Sequence, residues 1–230
     1  VLGDAKQSFK NKLKSLSAVA NVSVANYVPP HVYSNSVYFP NGKQDEGHLF
    51  SQIYADEDYL ETIGLKMLEG RFFSKDFPSD SNAVVINKKG MEAFGWTTIE
   101  GNKFAEPNQE GGVELYEVVG VMEDFNYSSL KIDIEPLVIF YEDFGNLMPV
   151  RLAAGNTSDK VEQVQAIWNE MAPEEPFDYS FVDENFESQF RAEERFGKIF
   201  IIFTTLAIFI ASLGLLGLAT FIAEQRSKEI

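Results

Sequence analysis

The clearest pattern in the chain is the absence of one: from Ile199 to Ala223, 25 consecutive residues carry no charge and no polar face recurs. At about 1.5 Å per residue, a helix of that length reaches roughly 37 Å, against the roughly 30 Å hydrocarbon core of a bilayer. The stretch is therefore expected to be a membrane span, since a core helix of a soluble domain rarely runs so far without a polar side. Upstream of it, Glu187 with Arg191 and Glu194 with Lys198 are spaced i, i+4. The only glycine there is Gly197, so helix is expected to run unbroken from Glu184 into the bilayer as a stalk over residues 184–198. Within the span, Ala207, Ala211 and Gly214 fall on one face, either as a seam for a neighbouring membrane helix or as ordinary small residues of such helices.

The first 183 residues show shorter periods. Asp4 to Ser17 places Ala5, Phe9, Leu13 and Leu16 at helical spacing, with Lys6, Lys10, Lys12 and Lys14 expected outward. Strands are expected at 21–28, 49–55, 65–68, 82–86, 114–125, 136–141, 149–154 and 178–182, and helices at 58–63, 87–94 and 158–172. Asp58 with Glu61 has the spacing of a capping box, and Gly64 closes that short helix. Pro29-Pro30 opens a stretch to Gly47, with Asn41-Gly42 as its turn signal, that reads as a long loop or loose hairpin. Its aromatic residues Tyr33, Tyr38 and Phe39 either meet a partner or pack on their own domain. The order strand, helix, strand over 149–182 predicts a parallel βαβ unit. The expected fold class is α+β: βαβ elements at the two ends and a second block of short strands and helices in the middle, then the stalk and span.

Charge alters the picture in one respect. The chain has 19 Lys and Arg against 35 Asp and Glu, a formal net charge of −16, and the four charges after Lys198 cancel. Residues 1–198 carry the whole excess, which makes nucleic acid a poor partner. Cysteine is absent, excluding disulfides and thiol chemistry. No phosphate-cradling loop or dinucleotide fingerprint occurs. His31 and His48 have no carboxylate at ligand spacing, so neither an enzyme nor a cofactor or metal site is expected. Asp56-Glu57-Asp58 reads as a helix start rather than a calcium loop. The chain begins without methionine and stops in a charged helical pattern, as a piece of a larger membrane protein would.

Several stretches resemble a known family. Phe186 to Ile230, with the lead-in Glu-Glu-Arg-Phe-Gly-Lys-Ile-Phe and the exit Ala-Glu-Gln-Arg-Ser-Lys-Glu-Ile, is similar to the start of the FtsX-like permease domain of ABC transporters. Asp58 to Arg71, with its Leu-Glu-Gly-Arg ending, Phe73 to Phe77, and Glu117 to Phe125, with Val-Val-Gly-Val, resemble the MacB-like periplasmic core domain. The exit segment is closest to the second half of eight-span permeases. This resemblance implies that residues 1–198 lie in the periplasm, that 199–223 cross the bacterial inner membrane, and that 224–230 begin a cytoplasmic coupling segment.

It also implies a porter-like part at 1–56 and 136–183, with the inserted subdomain at 57–135. Arg226, Lys228 and Glu229 match the start of the segment that contacts a separate cytoplasmic ABC ATPase. Further implied partners are the other spans of the same permease, a second permease copy, and a periplasmic or outer-membrane protein. An extracytoplasmic sensor domain of a membrane receptor is the alternative reading.

Overall fold

In the computed structural model the described residues are 5–108, 112–142 and 145–227, with backbone alone for 190–195 and 221–227. Two units follow one another, residues 1–182 and residues 183–230.

The first unit opens with α1 (Lys6–Lys14) and β1 (Val19–Val22), continues through the hairpin β2 (Asn35–Pro40) and β3 (His48–Ala55), and then forms α2 (Tyr59–Ile63) and β4 (Met67–Gly70). After a 3-10 turn come β5 (Ala83–Asn87), α3 (Lys88–Ala93), β6 (Lys103–Pro107), β7 (Val113–Met122) and β8 (Leu137–Tyr141). The unit finishes with β9 (Val150–Leu152) and α4 (Thr157–Met171). β7 is long enough to serve two neighbours: its first half pairs antiparallel with β6 and its second with β4. Because β6 also pairs with β2, the strands β7, β5, β8, β3, β2 and β6 close into a six-stranded ring with β4 attached outside.

Closure sorts the side chains by the strand period of two. Val84 and Ile86 of β5, Val138 and Phe140 of β8, Tyr38, Phe50, Phe104 and Val118 share one core inside the barrel. The alternate residues, Ala83, Val85, Leu137, Ile139, Ile53 and Ala55, form a second core on the outer face with Val32, Tyr59, Phe73 and Tyr127. β5 is thus buried on both faces. That is why 82–86 and 136–141 read as unbroken apolar runs rather than alternating ones. Inside, aromatic rings do the filling, with Tyr38 and Phe104 at 4.5 Å and Phe50 and Phe94 at 4.9 Å between centroids. α3 begins with the Asn87 side chain accepting from the Gly90 amide at 2.8 Å. Gly90, an apparent weakness in that helix, leaves room for the Phe50 ring that packs on its Cα.

A smaller layer lies beside the barrel. β1 pairs antiparallel with β9, and α1 packs on both β1 and α4. Its core holds Phe9, Leu13, Val19, Val22 and Val164, with Trp168 edge-on to Phe9 at 5.5 Å.

The structure departs from the sequence pattern, or adds to it, at four places. The parallel βαβ unit at 149–182 does not form: β9 takes β1 as its partner, and 178–181 is extended without ladder pairing. Its rings hold it instead, Phe177 against Trp168 at 6.3 Å, then Tyr179 and Phe181 at 5.2 and 5.6 Å in succession. Of the two forms expected for the stretch to Gly47, a loop or a hairpin, the antiparallel hairpin is the one found, with Tyr38 drawn inside. β6 was not foreseen, because its five residues include two charges and a proline and alternate over too short a length. The boundaries at 56/57 and 135/136 do not fall at a break in the sheet, because β2, β3 and β8 are members of the same barrel as β5, β6 and β7. The separate layer consists of α1, β1, β9 and α4.

The second unit is one helix, α5 (Val182–Ser227), 46 residues without interruption.

Phe104 is fully buried among four aromatic rings inside the barrel. Phe104→Ala is expected to cost about 3–5 kcal/mol, measured by denaturant unfolding of the chain in detergent.

Candidate functional site

The densest polar cluster sits where β3 leaves the barrel. Ala55 ends the strand, and the next three residues, Asp56, Glu57 and Asp58, turn the chain into α2. Lys10 reaches them from α1, with its ammonium 2.5 Å from Asp56 Oδ2 and 2.6 Å from Asp58 Oδ2. Lys14, one turn on, meets the same Asp58 oxygen. Asp56 also accepts from the Ser23 hydroxyl and the Val24 amide, both at 2.7 Å, and from the Asp58 amide at 3.1 Å. Glu57 Oε1 meets Lys75 at 2.7 Å and lies 3.7 Å from the Lys10 ammonium.

Lys10 is only 1% exposed, so its predicted outward position is wrong, and so is the capping role of Asp58, whose side chain makes no cap bond. Both errors have one cause. Local preference places each residue type at the surface or at a cap, while a distant partner in the chain compensates the charge, Asp56 for Lys10 at 46 positions and Lys14 for Asp58 at 44. Gly64, with φ +83°, ends α2 as expected.

The titration behaviour follows from this geometry. Burial works against the Lys10 ammonium, but its bonds to Asp56 and Asp58 outweigh that and its pKa is raised. Burial likewise works to raise Asp58 and Glu57, yet the lysines bonded to them hold both carboxyls below the ordinary range. A second pair behaves alike: Asp80, fully buried, takes both guanidinium nitrogens of Arg71 at 2.6 and 2.7 Å and is held low despite its burial. These clusters are closed ion pairs. Among the described residues, no three His, Asp or Glu side chains gather in a metal-binding group. His31 shares a hydrogen bond with the Tyr33 hydroxyl at 2.6 Å, and His48 stands edge-on to Phe94 at 5.5 Å.

The aromatic contact candidates separate. Tyr33 is 70% exposed and Phe39 half-buried, but Tyr38 is wholly buried and donates to Gln52 Oε1. Tyr38 is therefore a barrel residue and not a partner contact. Val37 and Leu49, directly opposite one another on β2 and β3, are exposed beside Phe39 and were not singled out by the sequence.

α5 carries an apolar stretch of 25 residues, Phe196–Thr220, with a mean hydropathy of 2.6 and none of it buried. It overlaps the expected span over residues 199–220. Ala207, Ala211 and Gly214 lie on it, all exposed, and a Cβ at Gly214 would meet nothing. Arg226 belongs to the last turn of the helix, while Lys228 and Glu229 fall outside the described residues. An apolar helix of this length with no protein against it matches an apolar solvent, so it is a candidate membrane span.

A mixed α/β domain followed by a long exposed apolar helix is the build of a domain held at a membrane. Residues 4–167 match the MacB-like periplasmic core domain, and the chain belongs to that family, the periplasmic portion of ABC transporter permeases. Such domains are not themselves enzymes. Among solved structures, the periplasmic region of MacB from Actinobacillus actinomycetemcomitans matches with a TM-score of 0.56 at 14% identity, covering 83% of this chain and 89% of that one. A domain of a putative permease protein from Porphyromonas gingivalis matches with a TM-score of 0.51 at 14% identity, covering 71% and 68%. At such identities the likeness is one of fold. No curated protein matches the chain.

Because Asp58 and Glu57 titrate below their ordinary values, their contribution to stability is complete above the unfolded values near pH 4 and is lost as pH falls through the depressed folded values. Thermal unfolding in detergent is therefore expected to shift to lower temperature on acidification below about pH 4. Asp58→Asn should lower stability at pH 7 by about 1–3 kcal/mol and flatten that acid limb.

Proposed function

We propose that this chain is the part of an ABC transporter permease in which a periplasmic domain is moved by a stalk that continues into the inner membrane. The observation that carries the proposal is the single helix Val182–Ser227. At about 1.5 Å per residue it reaches roughly 69 Å, more than twice a bilayer's hydrocarbon core, so one rod serves both the aqueous stalk and the span. A backbone hydrogen-bonded from end to end transmits axial and tilting displacement; a hinge would absorb it. Residues 1–198 then lie in the periplasm, and the helix emerges into the cytoplasm near Glu224.

In this reading Arg226, Lys228 and Glu229 meet a separate cytoplasmic ABC ATPase, whose hydrolysis cycle supplies the movement. Ala207, Ala211 and Gly214 let another span of the permease, or of a second copy, approach closely. Tyr33 and Phe39, with Val37 and Leu49 beside them, form the surface offered to a periplasmic or outer-membrane protein. Nothing passes through the domain chemically. It exports or extracts a periplasmic substrate, such as a peptide, lipoprotein or antibiotic, by moving. The net charge of −16 keeps such a domain soluble and away from anionic headgroups.

The test is a break in the rod. Glu194→Pro removes a helical hydrogen bond at about 3 kcal/mol and kinks the stalk without touching the folded domain. With the permease and its ATPase reconstituted in liposomes, ATP hydrolysis is expected to continue while transport is lost. Transport at the unmodified rate would overturn the rigid-stalk reading.

A further inference from the structure

The barrel and the smaller layer do not share a core. Phe9, Leu13, Val22 and Val164 of the layer belong to a cluster that includes none of the residues packed on the outer face of the barrel. Apolar contact is non-directional and leaves two bodies free to slide, whereas hydrogen-bonded charges hold one geometry. What crosses this joint is largely hydrogen-bonded: past β1 the chain runs beside the end of β3, with the Asp56 amide donating to the Val24 carbonyl and the Asn26 amide to the Tyr54 carbonyl at 3.1 Å each, while α2 packs on β1 and β9. Within the smaller layer α1 packs on β1 and α4, and its attachment to the barrel side runs through Lys10 and Lys14 to the Asp56–Asp58 turn.

Beside it, Asn21 donates to Glu61 at 3.2 Å, and Arg151 donates to the Thr62 carbonyl at 2.8 Å. Of the ion pairs here only Lys10 with Asp56 is removed from water on both sides, at 2% and 3% side-chain exposure, and the buried Ser23 hydroxyl and Val24 amide bond the same carboxylate. The others stand at least partly in solvent, where such pairs hold weakly. A buried pair is a poor source of net stability compared with apolar side chains of the same size, and its best-attested use is to specify one arrangement over others.

We propose that the Lys10, Asp56 and Asp58 cluster is a latch that fixes the orientation of the smaller layer on the barrel, so that the two move as one body. The latch is a property of the domain alone and stands whether or not α5 drives it. For a domain that is driven through α5, which follows the smaller layer in the chain, the latch is what passes the movement on to the barrel.

The absence of cysteine makes the test direct. Cysteines introduced at Glu162 on α4 and Glu100 on the barrel side, spin-labelled in the 230-residue chain in lipid nanodiscs, report the joint. A second pair at Lys43 and Glu100 reports the barrel. In the otherwise unmodified chain both distance distributions are expected to be narrow. Lys10→Met is expected to broaden the first and leave the second narrow, and Lys14→Met to leave both narrow. The proposal is overturned if Lys10→Met broadens neither pair, if it broadens both alike, or if Lys14→Met broadens the joint as much.

If Lys10→Met fails to fold, hydrogen exchange in the unmodified chain decides. The Val24 and Asp58 amides, which donate to Asp56, are expected to exchange as slowly as those of β5 and β8. Exchange about a hundredfold faster means that the joint opens locally while the barrel stays closed, and the latch is then refuted.

Discussion

Closing a sheet of six strands into a ring imposes one condition on every strand: alternate residues must fill a small interior, and no edge may remain open. β6 makes the closure, pairing with β2 on one side and β7 on the other. Without it, and without the Phe104 ring it carries inward, Tyr38 and Phe140 would face solvent. Once it is made, β5 and β8 are trapped between two cores, inside and outside. The positions of β4, of α3 against Phe50, and of the turn where β3 ends follow from that ring. So does the place of the polar cluster, which forms at the first point where β3 is free of its neighbours.

That cluster shows how charge is used in an acidic domain with few cations. Lys10 serves three carboxylates, those of Asp56, Glu57 and Asp58, and Asp56 takes three further hydrogen bonds from Ser23, Val24 and Asp58. Every buried charge is answered by bonds on all sides, the condition under which burying an ion pair is tolerated. Arg71 and Asp80 repeat the arrangement next to β4. These pairs consume the cations near them, which leaves the surface acidic and explains why abundant carboxylates assemble no ligand site among the described residues.

α5 answers to a different solvent. Its 46 residues satisfy their backbone hydrogen bonds internally, so the same helix is stable in water at one end and in lipid further along. The side chains change along it from charged to apolar, and nothing in the backbone marks the change. Membership in the family of MacB-like periplasmic core domains accords with this division into an aqueous domain and a membrane helix.

The unbroken helix with its apolar stretch and most strands were legible because their signals are local: an apolar run of 25 residues, periods of two and 3.6, and glycine at the end of α2. The same locality limits what a single sequence can say. β6 is too short to carry a period, and the pairing of β9 with β1 joins segments some 130 residues apart, whereas the expected parallel partner at 178–182 was the nearer one. Lys10 reads as a surface residue because its type usually is, and Tyr38 stands open between a partner contact and its own domain; each is buried by neighbours that only packing brings to it. Chain direction, periodicity and hydrophobic length are properties of neighbours along the sequence. Which strand closes a barrel, and which charge finds its counter-ion, depend on residues far apart in it, and there the folded structure has the say.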